Sequence, residues 1–157
     1  PEQVSRYLYA GNPFVESVEI AKHIKPHLSP DDRMAVLGSE PQIYFYANAL
    51  SATKYIYTYM LMENNSYAYK MQKEMIEEIE SKRPKILIDV QISTSWLARE
   101  DSNRHIFEWA KNYIAENYAL IGIVDMFADM AIYKWDQDAE SYTPESLERI
   151  YIYERKQ

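Results

Sequence analysis

Side chains able to bind ligands or move protons gather after short apolar runs. Gly38-Ser39-Glu40 follows Met34-Ala35-Val36-Leu37, and Asp89, Ser93, Ser95 and Trp96 lie at or after the run that starts at Ile86. Tyr57 to Glu63 and Asp125 close two further apolar or β-prone stretches. If these runs are parallel strands, their carboxyl ends face one crevice, where open α/β sheets hold ligands. The candidate substrate-binding residues are therefore Ser39, Glu40, Tyr44, Tyr57, Tyr59, Glu63, Asp89 and Trp96. Such a surface is polar, acidic and aromatic, which suits hydroxyl-rich ligands. A plainer account has Ser39 and Glu40 simply starting the next helix, and placement at strand ends alone favours that account. Glu40 and Asp89 are also the first carboxylates to consider for hydrolysis, although sequence spacing does not set their separation.

Other chemistries find less support. The chain has only 3 glycines, Gly11, Gly38 and Gly122, so it holds neither a dinucleotide fingerprint nor a phosphate loop. No cofactor is expected. Ser39 lacks the second glycine of a nucleophile elbow. His23 and His27 stand four apart, as helical metal ligands do, and Glu19 precedes them by one turn. Pro26 disturbs that turn and His105 is remote, so the pair reads as solvated and no metal is assigned. Asp136-Gln137-Asp138-Ala139-Glu140 resembles the start of a calcium loop, but glycine is missing at position six and Leu147 stands where the last Glu belongs. Asn64-Asn65-Ser66 is a formal glycosylation sequon, meaningful only in a secretory host.

The elements that must position these groups follow from periodicity. Asn12-Pro13 starts a helix, with Asn12 as cap and Phe14, Val18, Ala21, Ile24 and Leu28 as its apolar face. Met34 to Leu37 is a buried strand, and a helix runs from Pro41 to Ala49. Tyr55 to Tyr59 alternates and predicts a second strand. Ser66 caps a helix whose core face is Ala68, Met71, Met75 and Ile79. Lys85 to Val90 is the clearest strand, and Gln91 to Asn103 a loop carrying Trp96. Ile106 to Ile114 is a helix and Ala119 to Val124 a strand. Met130 to Trp135 and Ile150 to Arg155 read as strands joined by the polar loop Asp136 to Glu148. Alternation of this kind predicts an α/β fold: a three-layer, Rossmann-like, mainly parallel sheet with helices on both faces. The last two strands are expected to extend it antiparallel at one edge.

Composition bounds the rest. At 157 residues, with no linker or repeat, residues 1–157 read as one domain. The absence of cysteine excludes disulfides and thiolate metal sites. A net charge of -7 argues against a nucleic-acid partner. No run of about 18 apolar residues is present to span a membrane. The 15 tyrosines predict many half-buried rings with wet hydroxyls, more often ordinary sheet-surface residues than sugar-contacting ones. The start at Pro1 suggests processing, or a piece of a longer protein.

An ordered series of short motifs adds a resemblance. It comprises Asn12-Pro13-Phe14, Asp31-Asp32-Arg33, Leu37-Gly38-Ser39-Glu40-Pro41-Gln42-Ile43-Tyr44-Phe45, Tyr55-Ile56-Tyr57-Thr58-Tyr59, Met71-Gln72, Glu74 and Arg83-Pro84. The series resembles the soluble C-terminal region of bacterial membrane glycosyltransferases of the dolichyl-phosphate-mannose–protein mannosyltransferase superfamily, over roughly Asn12 to Val124. The resemblance implies a polytopic parent enzyme with a polyprenyl-phosphate-sugar donor. It also implies a catalytic acid in the membrane portion, so no catalytic residue carries over to this chain. The domain would sit on the extracytoplasmic face of a bacterial membrane. Its partners would be the membrane portion and a glycan or glycolipid acceptor. The stretch Phe127 to Gln157 is longer than the resemblance implies. A stand-alone carbohydrate- or protein-binding α/β module is the alternative.

Overall fold

A computed structural model describes residues 11–156. The lead-in expected over Pro1 to Gly11 lies outside the described residues, apart from Gly11 itself. In chain order the elements are α1 (Phe14–Ile24), a 3-10 turn (Lys25–His27), β1 (Arg33–Leu37), α2 (Pro41–Ala47) and β2 (Leu50–Ser51). A 3-10 turn (Tyr59–Met62), α3 (Ser66–Lys82), β3 (Ile86–Gln91) and the short α4 (Ser93–Trp96) follow. The chain ends with α5 (His105–Asn117), β4 (Tyr118–Met126), β5 (Ala131–Trp135), α6 (Gln137–Ser141) and β6 (Arg149–Arg155). The fold is α/β, with one open mixed sheet of six strands in the order β2-β1-β3-β6-β4-β5.

Strands β2, β1 and β3 pair in parallel, whereas β6 pairs antiparallel with both β3 and β4, and β5 antiparallel with β4. The expectation of two C-terminal edge strands therefore holds for β5 alone. Strand β6 lies inside the sheet, with Ile150 and Ile152 fully buried. Its other face carries Tyr151 and Tyr153, each partly exposed. That alternation looks like an edge strand in sequence because the face holding the tyrosines borders a cavity rather than a sealed core.

Successive strand residues point to opposite faces, and each face has its own core. Met34, Val36, Ile86, Ile88, Ile150 and Ile152 pack with Ile20, Ala21 and Ile24 of α1 and Ile43 and Ala47 of α2. Ala35, Leu37 and Leu87 pack with Met75 and Ile79 of α3 and Ile106, Ala110 and Ile114 of α5. The buried stripe of α1 runs through Ser17, Ile20, Ala21 and Ile24, and Phe14 is exposed. The face read from sequence is thus rotated, because Ser17 turns inward and donates to the Pro13 carbonyl. Such self-bonding lets a hydroxyl occupy a core position.

Two further expectations change. Tyr55 to Tyr59 forms no strand; the second strand is the two-residue β2. Tyr55 instead sends its hydroxyl to Glu74 (2.6 Å) and the Thr58 N–H donates to Ser39 Oγ (2.9 Å). Side-chain partners thus override the local β preference. The cap of α3 is Asn65, not Ser66: its Oδ1 accepts from the N–H groups of Tyr67 (2.9 Å) and Ala68 (3.0 Å). The polar loop Asp136 to Glu148 contains α6 and is pinned by Asp125, which is fully buried. Asp125 accepts from the Tyr142 hydroxyl (2.7 Å) and the N–H groups of Glu145 (2.8 Å) and Ser146 (3.0 Å). Asp125 is a loop anchor, not a strand-end ligand group.

Candidate functional site

The sheet sets β1 and β3 side by side, with Leu37, the last residue of β1, paired to Asp89, which lies inside β3 two residues before its end and not at the strand end the sequence predicts. After β1 the chain turns toward the α1–α2 face, and after β3 toward the α3–α5 face. A doubly wound fold opens its ligand crevice at such a divergence. Here side chains fill it. Ser95 Oγ accepts from the Ser39 N–H (2.9 Å) and donates to Glu40 Oε2 (2.6 Å). Thr58 Oγ1 donates to the Ser95 carbonyl (3.2 Å), which leaves Ser39 Oγ to donate to Thr58 Oγ1 (3.0 Å). All four residues are buried.

Gly38 makes this close approach possible. Its φ is +154°, and a Cβ there would lie 2.5 Å from Ser95 Oγ and 2.8 Å from Val90 Cβ. Glu40 occupies the cap position of α2 but makes no capping bond. Its carboxyl turns inward instead, and burial pushes its pKa up from 4.5 to about 7, against the opposing hydrogen bonds from Ser95 and the Ser39 backbone. Neither a pure helix start nor an open crevice describes Ser39 and Glu40; they are a packed polar plug.

The open space lies beside the plug. A cavity of about 820 Å³ separates α5 from the sheet face formed by β3, β6 and β4. Pockets of roughly 300–1,000 Å³ hold drug-sized molecules. Asp89, Tyr153 and Leu120 form its floor, Phe107, Ala110 and Ile114 of α5 its roof, and Trp96 and Ser93 its end. The roof helix is placed by Ile106, Ala110 and Ile114, which recur at helical spacing and pack toward the sheet. Trp96 is fixed by its indole N–H on the Val90 carbonyl (3.0 Å) and by an edge-on contact with Phe107 (4.7 Å). Arg104 and Lys111 stand at the rim.

The pocket is mainly apolar and aromatic, with one acid at its floor. Burial pushes the Asp89 carboxyl above its ordinary range, while the Gln91 amide (2.9 Å) and the charge of Arg149 work against that rise. Arg149 in turn donates to Gln91 Oε1 (3.1 Å), so Gln91 is held between the acid and the base. The Tyr153 phenol is raised by burial and then by the negative charge of Asp89. Ser93 is held by Glu148, which accepts from its N–H (2.9 Å) and its hydroxyl (2.8 Å). Aromatic walls and a carboxylate with a fixed amide suit a ligand with an apolar body and hydroxyls.

Of the eight residues expected to bind substrate, Asp89 and Trp96 line this pocket and Ser39 and Glu40 form the plug. Tyr44 lies in the core on the opposite face, its hydroxyl accepting from the Val36 N–H (2.8 Å). Tyr57 and Tyr59 are exposed, with rings 6.1 Å apart, and Glu63 pairs with Arg99 (3.1 Å). Sequence reasoning missed Phe107, Tyr153, Arg104 and Lys111. In sequence Tyr153 is only part of the strand expected over Ile150 to Arg155, and Phe107 lies within the expected helix without standing out; neither position marks a cavity. Among the described residues no helix is long and apolar enough to cross a membrane. No family model, curated protein or solved structure matches the chain.

Proposed function

We propose that this domain recognises an acceptor carrying hydroxyls on an apolar body, a glycan or glycolipid, through the pocket floored by Asp89. We place it as the extracytoplasmic C-terminal part of a polytopic glycosyltransferase that transfers a sugar from a polyprenyl-phosphate donor. The ordered motifs between Asn12 and Val124 support that parentage, and we read the architecture as a three-layer, Rossmann-like variant. The observation that carries the binding role is the cavity of about 820 Å³, with Trp96 and Phe107 in its walls and Asp89 on its floor. Catalysis would stay with the membrane portion, so the isolated domain transfers no sugar.

A second reading, a stand-alone carbohydrate- or protein-binding module, draws on the same aromatic-walled pocket. One pair of experiments separates and tests both. Glycan-array screening of the domain, followed by calorimetry on any hit, should give saturable binding that Asp89→Asn or Trp96→Ala weakens at least tenfold. A featureless array, or binding indifferent to both variants, would remove the binding role. Sequencing the gene upstream of Pro1 decides the parentage: several apolar spans of about 20 residues favour the membrane enzyme. A start codon or signal peptide there favours the module.

A further inference from the structure

The histidine pair of α1 acquires a third partner from the far end of the chain. One ring nitrogen of His23, one of His27 and one carboxylate oxygen of Asp136 all lie within 4.8 Å of one another. The two rings are 5.4 Å apart, and His23 stacks on Trp135 at 4.2 Å. This cluster sits on the α1–α2 side of the sheet and shares no residue with the pocket.

Three features distinguish it from a chance meeting of surface groups. His23 Nε2 is buried with no hydrogen bond of ordinary geometry: Asp136 Oδ1 stands at 3.8 Å, and the Ile121 backbone is the ring's other polar neighbour. A buried ring nitrogen left unbonded costs about 1–3 kcal/mol, so a ligand that would satisfy it is favoured. Asp136 is a non-glycine residue at φ 50°, ψ -123°. Strain of that kind, about 1–3 kcal/mol, persists where the surrounding structure requires it. Finally, Glu154 Oε2 lies 3.2 Å from His27 Nδ1 while Lys85 holds its other oxygen at 2.9 Å. A carboxylate behind a histidine is the usual outer support of a metal-bound imidazole.

We propose that His23, His27 and Asp136 bind a divalent transition ion of the zinc class, with Glu154 positioning His27. Two imidazoles and one carboxylate match zinc, cobalt or nickel; calcium and magnesium call for oxygen ligands throughout. Three protein ligands leave a fourth position open to water or a further group. Tetrahedral binding draws donor atoms to about 3.4 Å from one another, given metal–ligand distances near 2.1 Å. The Asp136 side chain is mostly exposed, so it can swing to close that gap while Glu154 holds His27 in place. The sequence alone showed two ligands at helical spacing; Asp136, 109 positions beyond His27 (136 − 27), was visible only as part of a failed calcium loop.

The test uses tag-free protein stripped with a chelator and titrated with Zn²⁺ against a chromophoric competitor. The wild type should bind one ion with micromolar or tighter affinity. His23→Ala and Asp136→Asn should each weaken binding at least tenfold, Glu154→Gln by roughly 10- to 100-fold, and the remote His105→Ala not at all. Cu²⁺ should quench Trp135 emission in the wild type, and Trp135→Phe should abolish that quenching while Zn²⁺ is still bound. Should His23→Ala unfold, the exposed Asp136→Asn carries the test, with circular dichroism confirming its fold. Zn²⁺ binding weaker than about 1 mM, Ca²⁺ binding as tight as Zn²⁺, or affinity unchanged in a folded Asp136→Asn would each overturn the proposal.

Discussion

Replacing Glu40 by glutamine should stabilise the protein, and only above acid pH. Glu40 is 3 % exposed, and its pKa is raised from 4.5 to about 7 mainly by burial. In the unfolded chain Glu40 ionises near 4.5, whereas in the folded chain it keeps its proton until about pH 7. Between those values the folded state binds more protons than the unfolded state, so stability falls as pH rises. Below 4.5 both states are protonated and nothing is lost; above 7 both are ionised and the loss is complete. A gap from 4.5 to about 7, at about 1.4 kcal/mol per pH unit, amounts to ~3 kcal/mol. Glutamine keeps the shape and an oxygen to accept from Ser95 Oγ, but has no charge to desolvate.

Urea unfolding followed by far-ultraviolet circular dichroism at pH 4.5, 6 and 8 measures this directly. The difference between Glu40→Gln and wild type cancels every other titrating group. It should be near zero at pH 4.5 and grow to ~3 kcal/mol in favour of the variant at pH 8, a rise in melting temperature of about 6–12 °C for a chain of this size. Ligand binding in the pocket should be unchanged, because Glu40 is not among its walls. A variant that is less stable at pH 8, or a difference that does not vary with pH, would refute the argument. The first result would mean that the charged carboxylate is held by partners stronger than Ser95 and the Ser39 backbone.

Four other substitutions test the packing, the helix cap and the loop anchor. Gly122→Ala should destabilise by about 1–3 kcal/mol, because the new methyl would lie 2.6 Å from the Trp135 ring; thermal unfolding reads the loss. Asn65→Ala should cost about 1 kcal/mol and Ser66→Ala much less, since only Asn65 accepts from the first-turn N–H groups; equal losses in urea unfolding would contradict this cap. Asp125→Ala should cost about 2–4 kcal/mol and speed hydrogen exchange over residues 142–146, because three donors lose their acceptor; unchanged exchange there would remove the anchor role.

What the sequence made legible tracks how local each cause is. Strands β1, β3 and β4 are continuous apolar runs, and helices α3 and α5 carry apolar stripes at helical spacing, so their existence followed from periodicity. The position of β6 did not, because strand order depends on which edges remain to be paired, and that is a property of the whole sheet. Tyr55 to Tyr59 misled for a related reason. Its residues have strand propensity, yet Tyr55 and Thr58 find partners in Glu74 and Ser39, far along the chain. The site divides the same way. Asp89 and Trp96 were found because β3 and the segment after it are predictable, although Asp89 lies inside the strand and not at its end, whereas Tyr153 and Phe107 join them through the placement of β6 and α5.

The plug and the inserted strand together account for where the pocket lies. Parallel α/β sheets place ligands where neighbouring strands send their connections to opposite faces. In this chain that point lies between β1 and β3, and Gly38 lets Ser39, Glu40, Ser95 and Thr58 close over it. A single larger residue at position 38 would collide with Ser95 Oγ, Glu40 Oε2 and Val90 Cβ and break up the hydrogen-bonded chain. With that position filled, the cavity is displaced one strand along, to the face of β6. There an antiparallel strand places Tyr153 beside Leu87 of β3 on one side and Leu120 of β4 on the other. The acid at the cavity floor remains Asp89, on the strand where the sequence expects a ligand group. The carboxylate of β3 thus faces an aromatic-walled pocket on the sheet face, not a crevice at the strand ends. That arrangement fits both the scarcity of glycine and the abundance of tyrosine, since backbone approach needs the first and ring contact uses the second.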